Sequence, residues 1–127
     1  PRSLHRAVLK GGLIHNSTAL MSRSLIELVG AFDLKIDSGV DSDFFRRAII
    51  SHSARVVFMP ELTCRYHEYS ADRMTTRNDI GALKRKRYSN MRVLWKFAPY
   101  YLIYPAALLT RIIKILRVQR DINKHGK

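Results

Sequence analysis

This 127-residue chain has a single cysteine, no signal-peptide pattern in its first residues and no long apolar run. The single cysteine, Cys64, cannot form an internal disulfide, and we expect a buried, inert thiol in a reducing compartment. The N-terminal residues PRSLHRAVLKGG show no signal-peptide pattern and look like the middle of a longer protein. The most apolar run, residues 97–109, is well short of the roughly 20 residues that span a bilayer.

Motifs of the common nucleotide and metal sites are also missing. The chain has no glycine-rich phosphate loop, no Walker motif and no Cys/His spacing typical of a zinc site. It lacks the helix-turn-helix, RNP and zinc-finger signatures of nucleic-acid-binding modules. These absences argue against a self-contained nucleotide, zinc or nucleic-acid site built on a recognisable motif.

Acidic residues are scarce in the second part of the chain. Residues 1–72 carry nine Lys/Arg and eight Asp/Glu, a net charge of +1, whereas residues 73–127 carry fourteen and two, a net charge of +12. This asymmetry is expected of a segment that faces nucleic acid or anionic lipid. We therefore divide the chain into a near-neutral domain, residues 1–75, and a basic tail, residues 76–127.

The first part alternates residues typical of strands and helices. We expect an extended segment over residues 12–22, then a short helix with Ser24 as its N-cap, Glu27 completing a capping box and Gly30 ending it. A second helix is predicted over residues 41–51, where apolar residues recur at helical spacing. Two β-rich runs follow, ARVVFMP and LTCRYHE. The alternation predicts an α/β layer.

The tail predicts two basic amphipathic helices. In the first, apolar residues lie on one helical face and the run KRKR supplies dense positive charge. Pro99 interrupts this helix. A second helix follows the apolar run that Pro105 breaks, because basic and apolar residues again recur at helical spacing. The predicted apolar face of the first helix contains Ile80, Leu83, Met91, Leu94, Trp95 and Ala98.

Asp41 and Asp43 stand close together at the start of the predicted second helix, in the stretch GVDSDFFRRAI. One interpretation is structural, because acidic side chains in a first turn cap free N–H groups and interact favourably with the helix dipole. The other is that one carboxylate serves as a general base. Two neighbouring acidic residues do not specify a reaction, so the pair alone leaves both interpretations open.

Three weak motifs occur in a fixed order across residues 10–75. They are an arginine followed by Gly-x-Phe-Asp, an Asp-x-Asp helix start followed by an arginine, and Arg-x-His followed by a serine. Their order and spacing resemble the C-terminal half of the catalytic domain of family 2 glycosyltransferases, which have the GT-A fold. Val40 stands where that family has a glutamate. The matching residues are Arg23, Gly30, Phe32, Asp33, Asp41, Asp43, Arg47, Arg65, His67 and Ser70.

The resemblance implies a fold and a reaction. The fold would be α/β, with residues 1–75 forming the acceptor-side part of a GT-A-like domain, followed by amphipathic helices. The reaction would move a sugar from a nucleotide sugar to a hydroxyl of an acceptor glycan or lipid, with inversion, in surface polysaccharide or glycolipid synthesis. The donor-binding strands would precede residue 1, so the chain alone is expected to be inactive.

The same resemblance gives roles to single residues. Asp41 would be the catalytic base that deprotonates the acceptor hydroxyl. Arg65 would face the leaving diphosphate, where His67 would join an upstream Asp-x-Asp, missing from this chain, in holding Mg²⁺ or Mn²⁺. Asp43 is placed either with the substrate-binding residues or in a structural i,i+4 ion pair with Arg47. For His67, a solvated or hydrogen-bonded histidine is the alternative.

In the tail, aromatic residues beside Lys and Arg indicate a lipid partner. Trp95 would settle at the headgroup level while Lys84, Arg85, Lys86 and Arg87 reach anionic lipid. We therefore expect peripheral attachment at the cytoplasmic face of a membrane and no nucleic-acid partner. The alternative is a small basic nucleic-acid-binding module without enzymatic activity, which leaves the near-neutral domain unexplained. Solvated helices that pack on the catalytic domain are the purely structural alternative.

Overall fold

A computed structural model of the chain describes residues 2–62, 64–65 and 79–125. Of these residues 68% are helical and none belongs to a strand, so the predicted α/β, GT-A-like architecture is wrong for this part, which is all-helical. A 3₁₀ turn covers Asn16–Thr18, and a π-helical segment, Arg47–Ser51, continues the third helix. The helices are α1 (Arg2–Lys10), α2 (Arg23–Val29), α3 (Val40–Arg46), α4 (Ile80–Lys96), α5 (Ala98–Ile103) and α6 (Pro105–His125).

The first β-rich run shows why the predicted strands do not form. Residues 54–60 have the β-branched and aromatic composition of a strand, yet they have no regular secondary structure, and Val57 is 85% exposed. A strand needs a neighbour for its backbone hydrogen bonds, and composition alone does not supply one. Residues 12–22 likewise contain a 3₁₀ turn instead of a strand. The second run, residues 62–68, lies partly outside the described residues.

Helix α2 confirms the predicted short helix but begins differently. Ser22 is the N-cap, since its Oγ accepts a hydrogen bond from the backbone N–H three residues on, so the predicted cap at Ser24 is wrong. Glu27 forms an exposed ion pair with Arg23 at 2.9 Å, where a capping box was predicted. Gly30 ends the helix as predicted, at a φ of +78° that other residues rarely adopt.

The described residues form two compact units, and the first contains residues 2–33 and 40–65. Helix α3 and its π-helical continuation supply most of the buried side chains of this unit. Arg46 is buried with them, and its Nε donates a hydrogen bond to the carbonyl oxygen of Val8 at 2.9 Å, which joins α3 to the end of α1. One hydrophobic cluster contains Val29, Phe44, Phe45 and Ala48, with Ile14, Ala19, Met21, Leu25 and Ala54 packed against it.

The second unit contains residues 34–39 and 79–125 and is built on a pair of long helices. Side chains near the start of α4 meet the end of α6, since Arg87 donates a hydrogen bond to Gln119. Farther along α4, Asn90 accepts a hydrogen bond from Arg111, nearer the start of α6. The order of these contacts shows that the two helices are antiparallel, and α5 forms the connection between them.

Two polar residues, Ser89 and Arg111, are buried in the interior of the second unit. Buried Arg111 donates from Nε to the hydroxyl of Tyr101 at 3.0 Å and from Nη1 to Oδ1 of Asn90 at 2.7 Å. Buried Ser89 accepts two backbone hydrogen bonds through its Oγ, from Asp37 at 3.1 Å and from the next residue at 3.3 Å. These bonds satisfy groups that would otherwise be costly to bury.

The two tail helices are confirmed, with a break before Pro99, which lies in the first turn of α5. The apolar face predicted for the first of them is only partly right. Leu83 is buried, but Val93 takes the place expected for Met91 and Trp95, which are exposed. In the part of the chain that the structure describes, no helix combines the length and apolarity needed to cross a membrane.

Candidate functional site

Asp41 occupies the second position of α3, and its side chain is half-buried. Gly39, at a φ of +76°, makes the turn that precedes the helix. One carboxylate oxygen of Asp41 accepts a hydrogen bond from the backbone N–H of Ser42 at 2.7 Å. Asp41 is thus partly exposed to solvent, whereas Asp43 and Phe44 of the same helix are buried.

Asp43, two residues farther on, has a different environment. Its side chain is fully buried, and its Oδ2 lies 3.1 Å from Nε of Arg47, which confirms the predicted i,i+4 ion pair. The Arg47 guanidinium also donates to the carbonyl oxygens of Val29 and Ala31, the latter at 2.7 Å. The last carbonyls of a helix lack partners within it, so this arginine ties the end of α2 to α3.

Two aromatic rings complete the surroundings of this ion pair. The rings of Phe32 and Phe44 lie 5.5 Å apart at an angle of 58°, and the Arg47 guanidinium lies 5.5 Å from the centre of the Phe44 ring. Such contacts stabilise a packed arrangement beyond the area they bury. The structure therefore brings together residues that are separate in the sequence motifs, namely Gly30 at the end of α2, Phe32, Asp43, Phe44 and Arg47.

Two predicted site residues, Arg65 and His67, follow later in the chain. Arg65 is exposed, and His67, the predicted metal ligand, lies outside the described residues. No group of three or more His, Cys, Asp or Glu side chains that could hold a metal ion occurs among residues 2–62, 64–65 and 79–125. Cys64 is exposed, 3.7 Å from Oγ of Ser17, so the predicted buried thiol is wrong.

Beside Asp41, Ser42 lines a small cavity that the sequence did not indicate. The cavity has room for about one water molecule, and it is too small for a sugar. Gly11 and Gly12, both with positive φ, form the turn along one side. The cavity is lined by Val8, Gly11, Gly12, Leu13, Ile14, Ser42 and Phe45.

The five predicted membrane residues on α4 have unequal surroundings. Lys84 and Arg85 are exposed, and Arg85 lies 3.9 Å from Asp37. Lys86 and Arg87 are half-buried, and Arg87 is bonded to Gln119 as described above. Trp95 is 74% exposed.

Trp95 also belongs to a surface groove that the sequence analysis missed. The groove has a volume of about 590 Å³ and is open to solvent. Tyr88, Met91 and Trp95 share one face of α4 because they are three and four residues apart, and this spacing is the signal that could have identified the groove. Its lining residues are Tyr88, Met91, Arg92, Trp95 and Lys96.

Comparison of the chain with models of protein families, with curated proteins and with solved structures finds no match.

Proposed function

We propose that the chain supplies the acceptor side of a glycosyltransferase that moves a sugar from a nucleotide sugar to an acceptor hydroxyl, with Asp41 as the general base. The observation that carries this proposal is the contrast between the two aspartates of α3. Asp43 is buried and held by Arg47, whereas Asp41 is partly exposed and held by one backbone hydrogen bond. The helix is thereby fixed while one carboxylate stays accessible.

The proposed chemistry is a single displacement. A sugar hydroxyl is a poor nucleophile, and a carboxylate within hydrogen-bond reach accepts its proton as the new bond forms. The acceptor oxygen attacks the anomeric carbon, the bond from that carbon to the nucleoside diphosphate breaks with its electron pair, and the proton passes to Asp41. The described residues offer no metal site of their own, and this proton transfer requires none.

Asp43 and Arg47 act on this reaction through position. The cluster of Phe32, Asp43, Phe44 and Arg47 joins α3 to the end of α2, which fixes the direction of the first turn of α3. A catalytic group must be held close to its productive geometry to be effective. Arg65, which is exposed, is proposed to face the diphosphate, where His67 would help to hold Mg²⁺ or Mn²⁺.

The experiment that tests the proposal is Asp41→Asn in the enzyme that contains this chain. Turnover is expected to fall by roughly 10² or more, since general-base catalysis contributes about that much, while nucleotide-sugar binding stays intact. Asp37→Asn, an exposed change of the same type in the other unit, is the matched control and should leave turnover unchanged. If Asp41→Asn turns over as fast as the control, Asp41 is not the general base.

We also propose that the basic tail attaches the protein peripherally to the cytoplasmic, anionic face of a membrane. The specific observation is that the second unit exposes large apolar side chains beside many cationic ones. Trp95 is 74% exposed, Leu102 77% and Leu116 61%, and residues 73–127 carry a net charge of +12. Apolar groups gain from entering the interface, and each nearby Lys or Arg adds about 1 kcal/mol on anionic lipid.

A further inference from the structure

Helix α6 is apolar on the face that points away from its packing partner. Its buried residues are Ala107, Arg111 and Val118. At 100° per residue, the centre of its exposed aliphatic face lies about 170° around the axis from the centre of the buried face. The exposed aliphatic residues, which we call the outer stripe of α6, are Leu109, Ile112, Ile113 and Leu116, between 38% and 61% exposed.

A basic stripe adjoins the outer stripe. Arg117, Arg120 and Lys124 are exposed and are three and four residues apart, so they share one face, about 60° around the axis from the outer stripe. Arg120 lies 3.9 Å from the acidic Asp121, the one acidic residue of this helix. At 1.5 Å per residue the outer stripe and the basic stripe each extend about 11 Å and follow one another along the axis, so together they cover about 22 Å of α6.

Helix α4 is arranged differently. The four consecutive basic residues 84–87 point in four directions about 100° apart, so no flat surface faces all of them. Arg87 is already bonded to Gln119. The exposed face of α4 carries Tyr88, Met91 and Trp95, about 180° around the axis from the side chains that α4 buries. These three residues line an open groove, whereas the exposed face of α6 is aliphatic.

We infer that the outer stripe of α6 is the face that enters an anionic membrane surface, with Arg117, Arg120 and Lys124 at the lipid phosphates. This inference rests on the peripheral attachment proposed above and names the face responsible. Interfacial helices place an aliphatic face roughly 5–10 Å into the headgroup boundary and keep basic side chains at its edge. A second copy of the chain fits less well, because a symmetric contact through this face would bring like charges together.

The test measures binding of the 127-residue chain to phosphatidylcholine vesicles and to vesicles with about 30% phosphatidylserine, by co-sedimentation. The Ile113→Gln/Leu116→Gln variant should bind the anionic vesicles at least about 10-fold more weakly than the unchanged chain. The matched control is Leu20→Gln/Leu28→Gln, which removes two exposed leucines from the first unit and should bind normally. Circular dichroism of each variant verifies that the helices are retained.

Four results would overturn the inference, and they are distinguishable. A larger loss for Met91→Gln/Trp95→Gln than for the α6 variant would make α4 the inserted face. A dimer in analytical ultracentrifugation that becomes a monomer in the α6 variant would make a second copy the partner. If the unchanged chain binds neither vesicle, peripheral attachment itself is wrong, whereas binding that the α6 variant retains in full contradicts only the choice of face.

Discussion

The two units differ in where their exposed apolar residues lie: in the first unit most are in segments without regular secondary structure, such as Leu20, Val57 and Leu62, and in the second unit most are on helices. In the first unit, Phe44 and Phe45 of α3 are buried in a hydrophobic cluster, and the buried aspartate beside them is paired with Arg47. In the second unit, Ser89 and Arg111 are buried among apolar residues, and the exposed aliphatic side chains of α6 lie on one face of that helix. Both units are helical, so helix formation alone does not decide where the apolar surface lies.

This difference teaches what each unit is suited to do. A helix that is apolar inside and polar outside needs nothing more than its own domain. A helix that exposes an aliphatic stripe opposite its packed face retains apolar surface that a membrane or another molecule can bury. The first unit therefore has the features of a positioning scaffold for Asp41, and the second has those of an attachment surface.

The largest effect is expected at the ion pair of the first unit. Asp43→Ala leaves the Arg47 guanidinium partly buried without its carboxylate, and breaking a buried pair in this way costs about 3–5 kcal/mol in the free energy of unfolding. Urea unfolding measures the change. Glu27→Ala, which removes the exposed pair with Arg23, is the control and should cost less than about 1 kcal/mol. Equal costs would show that the contrast between buried and exposed pairs is wrong.

A smaller loss is expected at buried Arg111 in the second unit. Arg111→Met removes the hydrogen bonds that Arg111 donates to buried Tyr101 and half-buried Asn90, and losing the two should cost about 2 kcal/mol in the free energy of unfolding. Amide hydrogen exchange along α4 and α6 should accelerate, while exchange in α3 should not. A gain in stability would instead mean that an apolar interior suits the hairpin better and that Arg111 is retained for another reason.

Local signals explain how much of this fold the sequence predicts. The helix that ends at Gly30, the helix that contains Asp41 and the tail helices follow from glycine and apolar spacing, which act within a few residues. The strands were wrong because a strand depends on a partner that composition does not reveal, as the exposed Val57 shows. Cys64 was assigned to the interior for the same reason.

The candidate site shows the same limit. The Asp43–Arg47 pair was predictable because i,i+4 residues are neighbours on any helix. The contact between Phe32 and Phe44 was not, since it joins two elements across a loop. For α6, the periodicity indicates an amphipathic helix, but it does not say which of two apolar faces packs on α4, because buried Arg111 makes the packed face look polar.

The position of basic residues on α4 and α6 should have a moderate effect on binding to anionic vesicles. Arg117→Gln/Arg120→Gln should weaken binding to anionic vesicles about 10-fold, because both side chains lie beside the outer stripe. Lys84→Gln/Arg85→Gln removes the same charge, but these residues point in directions about 100° apart, and the loss should be about threefold or less. Binding to phosphatidylcholine alone should change little in either variant. Equal losses would indicate that total charge matters and its position does not.

The smallest signal is expected where the chain is titrated with nucleotide sugars and Mn²⁺. The chain has no glycine-rich phosphate loop, and the cavity beside Asp41 has room for about one water molecule, so an acceptor-side segment has little with which to hold a nucleotide. Isothermal titration of the 127-residue chain should therefore show no binding in the micromolar range, whereas vesicle binding by the same preparation should be readily measured. Micromolar binding of any nucleotide sugar would mean that the donor site is complete within these residues, and that assigning only the acceptor side to the unit around Asp41 is wrong.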